Sequence, residues 1–139
     1  MPVSTYGLTH IALAVKDPAR AFDFYREVFG MVAVYRQPDF IQAQTPGARD
    51  VVVFEKAMET GESGGIAHFG FRLTDPADID RAEGAVTRAG GTIVERGEFV
   101  PGEPYIFARD LDGYMIEIWY EIPTTVDPPH RPGSFGGST

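Results

Sequence analysis

The stretch Gly7-Leu-Thr-His10-Ile-Ala-Leu-Ala-Val-Lys-Asp17-Pro18-Ala19 returns without a gap as Gly65-Ile-Ala-His68-Phe-Gly-Phe-Arg-Leu-Thr-Asp75-Pro76-Ala77, an offset of 58 residues. A period of that size indicates two copies of one supersecondary unit. Each copy opens on alternating apolar residues, Ile11, Leu13 and Val15 in the first and Phe69, Phe71 and Leu73 in the second. That is the pattern of a strand with one buried face. Each strand runs into Asp-Pro, where the carboxylate caps free backbone N–H groups and proline needs no donor, so a helix is expected after both.

Working outward, Phe22, Tyr25, Val28 and Phe29 form the apolar face of a first helix ended by Gly30, and Ile79, Ala82, Val86 and Ala89 that of a second ended by Gly90 and Gly91. Strand-like segments follow at residues 31–36, 40–44 and 51–56, and again at 92–96, 105–109 and 114–121, the last two joined by an Asp110-Leu-Asp112-Gly113 turn. The order is β-α-β-β-β, twice, an α+β fold. The modules are expected at 1–58 and 65–122, with a polar, glycine-containing linker at 59–64 and a proline- and glycine-rich tail at 123–139. Together they make one structural domain.

Composition narrows the function. The 139 residues are 43% hydrophobic and 12% aromatic, enough to fill a core without staples. There is no cysteine, so a metal would be held by His, Asp or Glu, and thiol nucleophiles are excluded. A net charge of −8, with acids spread along the chain, argues against a nucleic-acid partner. No apolar run approaches the roughly 20 residues of a membrane span, and a cytoplasmic location is expected.

Strand alternation assigns the polar residues to faces. His10 shares a face with Ala12 and Ala14, His68 with Gly70 and Arg72, and Glu117 with Met115 and Trp119, each opposite the apolar residues that pack on a helix. A single strand histidine is more often a hydrogen-bonded structural residue than a ligand. Two histidines at one position of a repeat change that balance, because pseudo-twofold packing would bring them together. With Glu117 they form a plausible set of donors for a divalent metal. His130, in the tail, reads as solvated surface.

The chain resembles the glyoxalase, bleomycin-resistance and extradiol-dioxygenase superfamily, also called vicinal oxygen chelate, over about residues 6–122. The resemblance is carried by Thr9-His10-Ile-Ala-Leu-Ala-Val, Ala21-Phe-Asp-Phe-Tyr25-Arg-Glu-Val-Phe-Gly30, Ala67-His68-Phe-Gly-Phe and Arg109-Asp-Leu-Asp-Gly-Tyr-Met-Ile-Glu117-Ile. It implies paired βαβββ modules in a U-shaped mixed-sheet half-barrel, a metal at the cavity floor held by His10, His68 and Glu117, and a homodimer. Glyoxalase I adds a fourth ligand that would fall at Val53, with Glu55 two residues on. Extradiol dioxygenases place a tyrosine ten residues before the last ligand, where this chain has Phe107, and a histidine near Glu98; Tyr105 lies on the same strand face as Phe107. Fosfomycin-type transferases carry a hydroxyl residue where Ala12 stands and a basic loop where Gly97-Glu-Phe-Val-Pro-Gly-Glu103 is acidic.

These features favour a metal-dependent enzyme. An Fe(II) extradiol-type dioxygenase acting on a small aromatic or vicinal-oxygen substrate is expected first. A glyoxalase-like isomerase or lyase using Mn, Ni or Zn is the alternative, and a metal-free drug-binding resistance protein is the alternative of another class. Tyr105 and Glu98 are candidates for acid-base roles, and Arg72, Phe107, Met115, Trp119, Val53 and Glu55 for the substrate pocket.

Overall fold

A computed structural model describes residues 2, 6–61 and 66–128. His130, half of the expected linker (62–64) and most of the tail lie outside the described residues. The first module runs β1 (His10–Val15), α1 (Pro18–Phe29), β2 (Val32–Gln37), β3 (Phe40–Gln44) and β4 (Val51–Lys56). The second runs β5 (Phe69–Arg72), a 3-10 turn (Pro76–Asp78), α2 (Ile79–Arg88), β6 (Thr92–Glu98), β7 (Pro104–Arg109) and β8 (Met115–Trp119). Each makes an open four-stranded sheet, β1-β4-β3-β2 and β5-β8-β7-β6. The first strand of each module pairs in parallel with the last, and the other pairings are antiparallel.

The repeated Asp-Pro acts as a start signal in both copies, with different results. Asp17 accepts from the Ala19 and Arg20 N–H groups at 3.1 and 3.3 Å, and α1 begins at once. Gly30, at φ 71°, ends it in the left-handed conformation that glycine adopts without penalty. Asp75 accepts from the Ala77 N–H at 2.9 Å, but the chain then tightens into a 3-10 turn, closed by Ile79 N–H to Pro76 O, before α2 starts. The second helix is therefore shorter than its counterpart.

The apolar strand faces turn toward the helices. α1 buries Ala21, Phe22 and Tyr25 with Leu13, Val15, Val52 and Phe54 of the first sheet, and α2 buries Ala82 and Val86 with Ile106, Ile116 and Ile118 of the second. All of these belong to one cluster, and α1 touches α2, so the helices lie between the two sheets. The join is aromatic. Phe29 stacks on Phe71 of β5 at 3.9 Å between centroids and 13° between planes, and Tyr25 packs on both Phe54 and Phe71.

One end of the join is polar. The Tyr25 hydroxyl donates to Asp110 Oδ2 at 2.7 Å, while Asp110 Oδ1 accepts from the Asp112 and Tyr114 N–H groups. The Tyr114 hydroxyl donates back to Ala14 O at 2.7 Å, and the Lys16 N–H donates to Asp112 Oδ1. Burial, and then the Asp110 charge, raise the Tyr25 pKa well above its ordinary value. The folded state thus holds the phenolic proton more tightly than the unfolded chain does. This contribution is complete below the ordinary tyrosine value of about 10 and is lost as pH rises from there through the folded-state value. Tyr25→Phe should cost about 1–3 kcal/mol at neutral pH, because it leaves a buried carboxylate oxygen without its donor. It should also remove this tyrosine's share of the stability loss above about pH 10. Urea unfolding at neutral and alkaline pH measures both, and parallel curves for variant and wild type would contradict the assignment.

Candidate active site

The burial of Ile116 and Ile118 turns Met115, Glu117 and Trp119 to the opposite face of β8. By the same alternation Tyr105, Phe107 and Arg109 of β7, and Gly70 and Arg72 of β5, share that face, with His68 in phase just before β5 begins. Register fixes the neighbours: Gly70 and Phe107 flank Glu117 on either side, and Arg72 and Tyr105 flank Trp119. His68 Nε2 comes within 3.3 Å of Glu117 Oε1, and the imidazole meets Phe107 edge-on at 5.0 Å. The carboxylate is the more withdrawn partner, 15% exposed against 40% for the histidine side chain.

His10 stands at the start of β1, on the face that Ala12, Ala14, Val53 and Glu55 also occupy. Val53 is buried beside Ala12 and Gln42, whereas Glu55 is open to solvent. β1 and β5 are the edge strands that face each other, and the groove between them, about 810 Å³, is lined by both histidines together with Thr45, Asp50, Phe71 and Arg72. Among the described residues no three His, Asp or Glu side chains converge closely enough to hold an ion. The expected trio is thus a joined pair, His68 with Glu117, and a separate His10 across the groove. The pair fits two positions of a divalent ion, since an imidazole nitrogen and a carboxylate oxygen already converge.

Several neighbours differ from the expectation. The small residue beside His68 leaves no empty space: a Cβ on Gly70 would lie 2.7 Å from Trp119 Cζ3, so the indole occupies the room that glycine makes. Glu98 does not reach the site. β6 carries a bulge between Ile93 and Glu95, which shifts the alternation by one residue. Glu98 then pairs with the inward-facing Pro104 and accepts from the Gly102 N–H, while Glu95 moves onto the site face beside Phe107. Sequence alternation without the bulge misses Glu95. Its carboxylate accepts the Tyr105 hydroxyl, and this hydrogen bond raises the Tyr105 pKa. Tyr105 also stacks on Phe99 at 4.1 Å, extending an aromatic row from His68 through Phe107. Arg72 is on the site face, but its guanidinium is held by Asp127 of the tail.

Two open mixed sheets with the helix pair between them, and donors on the outward strand faces, define a protein of paired βαβββ modules. The sequence profile of the Glyoxalase/Bleomycin resistance protein/Dioxygenase superfamily matches residues 7–118, and the chain belongs to that superfamily. It is 30% identical over 126 residues to an uncharacterized protein of Pseudomonas aeruginosa, PA2024, covering 84% of this chain and 89% of that one. Among solved structures it is similar to the fosfomycin resistance protein FosX from Mesorhizobium loti, at TM-score 0.71 and 22% identity, over 86% of this chain and 95% of that one. It is also similar to a lactoylglutathione lyase from Agrobacterium tumefaciens, at TM-score 0.66 and 19% identity, over 84% and 94%. No helix among the described residues is long and apolar enough to cross a membrane.

The contact between Gly70 and Trp119 can be tested directly, because the chain has a single tryptophan. Gly70→Ala should displace the indole, shift its emission, and cost about 1–3 kcal/mol through overpacking. Unchanged emission and stability would mean that the indole does not lie over β5.

Proposed function

We propose that this chain is a divalent-metal enzyme in which His68, Glu117 and His10 are the ligands and the substrate is a small aromatic or vicinal-oxygen compound. The observation that carries the reading is the 3.3 Å approach of His68 Nε2 to Glu117 Oε1, on a face that also carries Phe107, Met115 and Trp119. His10 lines the same groove as His68 and is the third donor of the proposal. The working form is proposed to be a homodimer, whose contact would cover Val32, Val34, Tyr35, Val94 and Phe99, all about half exposed in the single chain.

A metal bound there supplies Lewis-acid polarisation of two substrate oxygens. The chain's own residues do the rest. Phe107 and Trp119 flank the donor pair and suit the faces of an aromatic ring. Tyr105, its pKa raised by the hydrogen bond it donates to the Glu95 carboxylate, stays protonated at neutral pH, so it is no phenolate base, and its oxygen is left to accept a hydrogen bond from a ligand. Two imidazoles and a carboxylate as the only protein ligands would suit Fe(II) oxygen chemistry, which is the leading reaction of this reading. Glyoxalase-like isomerisation or lyase chemistry through Mn, Ni or Zn is less well served, because buried, apolar Val53 takes the place of a fourth ligand.

Elemental analysis of anaerobically prepared protein should find about one ion per chain, lost in both His68→Ala and Glu117→Ala. A mixture of His10→Ala and His68→Ala chains separates the two assemblies. If each site takes His10 from the partner copy, mixing restores metal to about half of the sites of a mixed dimer. If each site is built from one chain, mixing restores none. Wild-type protein that binds no Fe, Mn, Ni or Zn after reconstitution would end the metal reading. Oxygen uptake by the iron form with a panel of catechols tests the reaction class, against turnover of a glutathione hemithioacetal by the nickel or zinc form.

A further inference from the structure

Arg72 stands on the outward face of the second sheet with its guanidinium already paired. On β5 it lies opposite Trp119, two inter-strand pairs beyond Gly70 opposite Glu117 and so on the same face, about 7 Å along the strand. It also lines the groove that holds both histidines. Asp127 presents both carboxylate oxygens to its guanidinium, at 3.2 and 2.9 Å, and Glu121 O accepts a third hydrogen bond at 3.3 Å. The Thr124 N–H and hydroxyl donate to the same carboxylate at 3.0 and 3.1 Å. This is bidentate guanidinium–carboxylate recognition, made here by the chain's own tail.

The segment that delivers Asp127 is weakly held. Residues 122–126 are all exposed, with Ile122 at 65% and Val126 at 87%, so almost no apolar burial fixes them. Apart from the Arg72 contacts, the segment is tied down by Ile122 N–H to Glu103 Oε2 at 3.1 Å, and at its root by Trp119 Nε1–H to Glu121 Oε1 at 2.9 Å. The ion pair itself is partly open to water, 31% exposed on the Arg72 side and 26% on the Asp127 side, and is screened accordingly. An incoming carboxylate with additional contacts to the face can therefore displace it.

We propose that Arg72 anchors a carboxylate carried by the ligand, and that Asp127 occupies this anchor in the free protein as an internal stand-in. This rests on the outward face of the second sheet being the ligand-binding face, and narrows the substrate class to small aromatic carboxylates. It does not require a metal.

Benzoate and its uncharged isostere benzamide are the probes, titrated against chelator-treated protein and read by the emission of Trp119, which contacts both the face and the segment. Asp127→Asn should bind benzoate about fivefold more tightly than wild type, because the competitor is removed, and benzamide equally in both. Arg72→Gln should lose the preference for benzoate over benzamide, and Arg72→Lys, which keeps the charge and loses the fork, should weaken benzoate severalfold. Equal benzoate affinity in wild type and Asp127→Asn, no binding in either, or benzoate preference surviving in both Arg72 variants would overturn the proposal. Metal content of the same preparations, before chelation, reports separately on the metal site. Benzoate selectivity in a protein that binds no metal would leave this anchor standing and remove the metal reading.

Discussion

Tyr25 is the side chain on which the packing of the two modules depends. Its ring sits on Phe54 of its own sheet and on Phe71 of the other, and its hydroxyl reaches the buried Asp110 at 2.7 Å. Each βαβββ module has one apolar sheet face and one amphipathic helix, too little to close a core by itself. Setting the two helices between the two sheets closes both at once. The Phe29–Phe71 stack and the Tyr114–Ala14 hydrogen bond secure the same join at different depths.

That arrangement dictates what is left for function. With Leu13, Val15, Ile116, Ile118 and their neighbours turned toward the helices, every residue of opposite parity turns outward: His10 on one sheet, and Glu117, with His68 in phase ahead of β5, on the other. The donors come to the surface as a consequence of core packing, and the open edges of β1 and β5 form the groove that both histidines line. The aromatic row of Phe107, Tyr105 and Phe99 then gives one wall an apolar character that the strongly acidic composition does not suggest.

The outward face of the second sheet is also more occupied than its residue types imply. Gly70 provides room, and Trp119 fills it. Arg72 is a cation beside a donor pair, and Asp127 neutralises it. Glu95 faces Tyr105 and keeps its proton in place. Each of these is a local pairing that a ligand bound on this face, as proposed, would have to join or displace, so its specificity would depend as much on these internal contacts as on the proposed metal ligands.

How much of this is legible before folding depends on the range of the interaction. Strand parity, the Asp-Pro caps and the 58-residue repeat are local or near-local, and from them follow the eight strands and the two helices, while the superfamily is legible in the motifs around His10, Tyr25, His68 and Glu117. From parity also follow the faces of His10, His68 and Glu117, since a strand alternates regardless of what packs on it. Other features required the tertiary structure, because each comes from a contact between residues far apart in sequence or from a backbone irregularity without a sequence signal. The β6 bulge exchanged Glu98 for Glu95 by moving the alternation one residue. The Tyr25–Asp110 bond spans 85 positions, and the Arg72–Asp127 pair spans 55. The separation of His10 from the His68–Glu117 pair is set by how two sheets, joined by no strand pairing among the described residues, are spaced by the helices between them, which strand pattern alone does not encode.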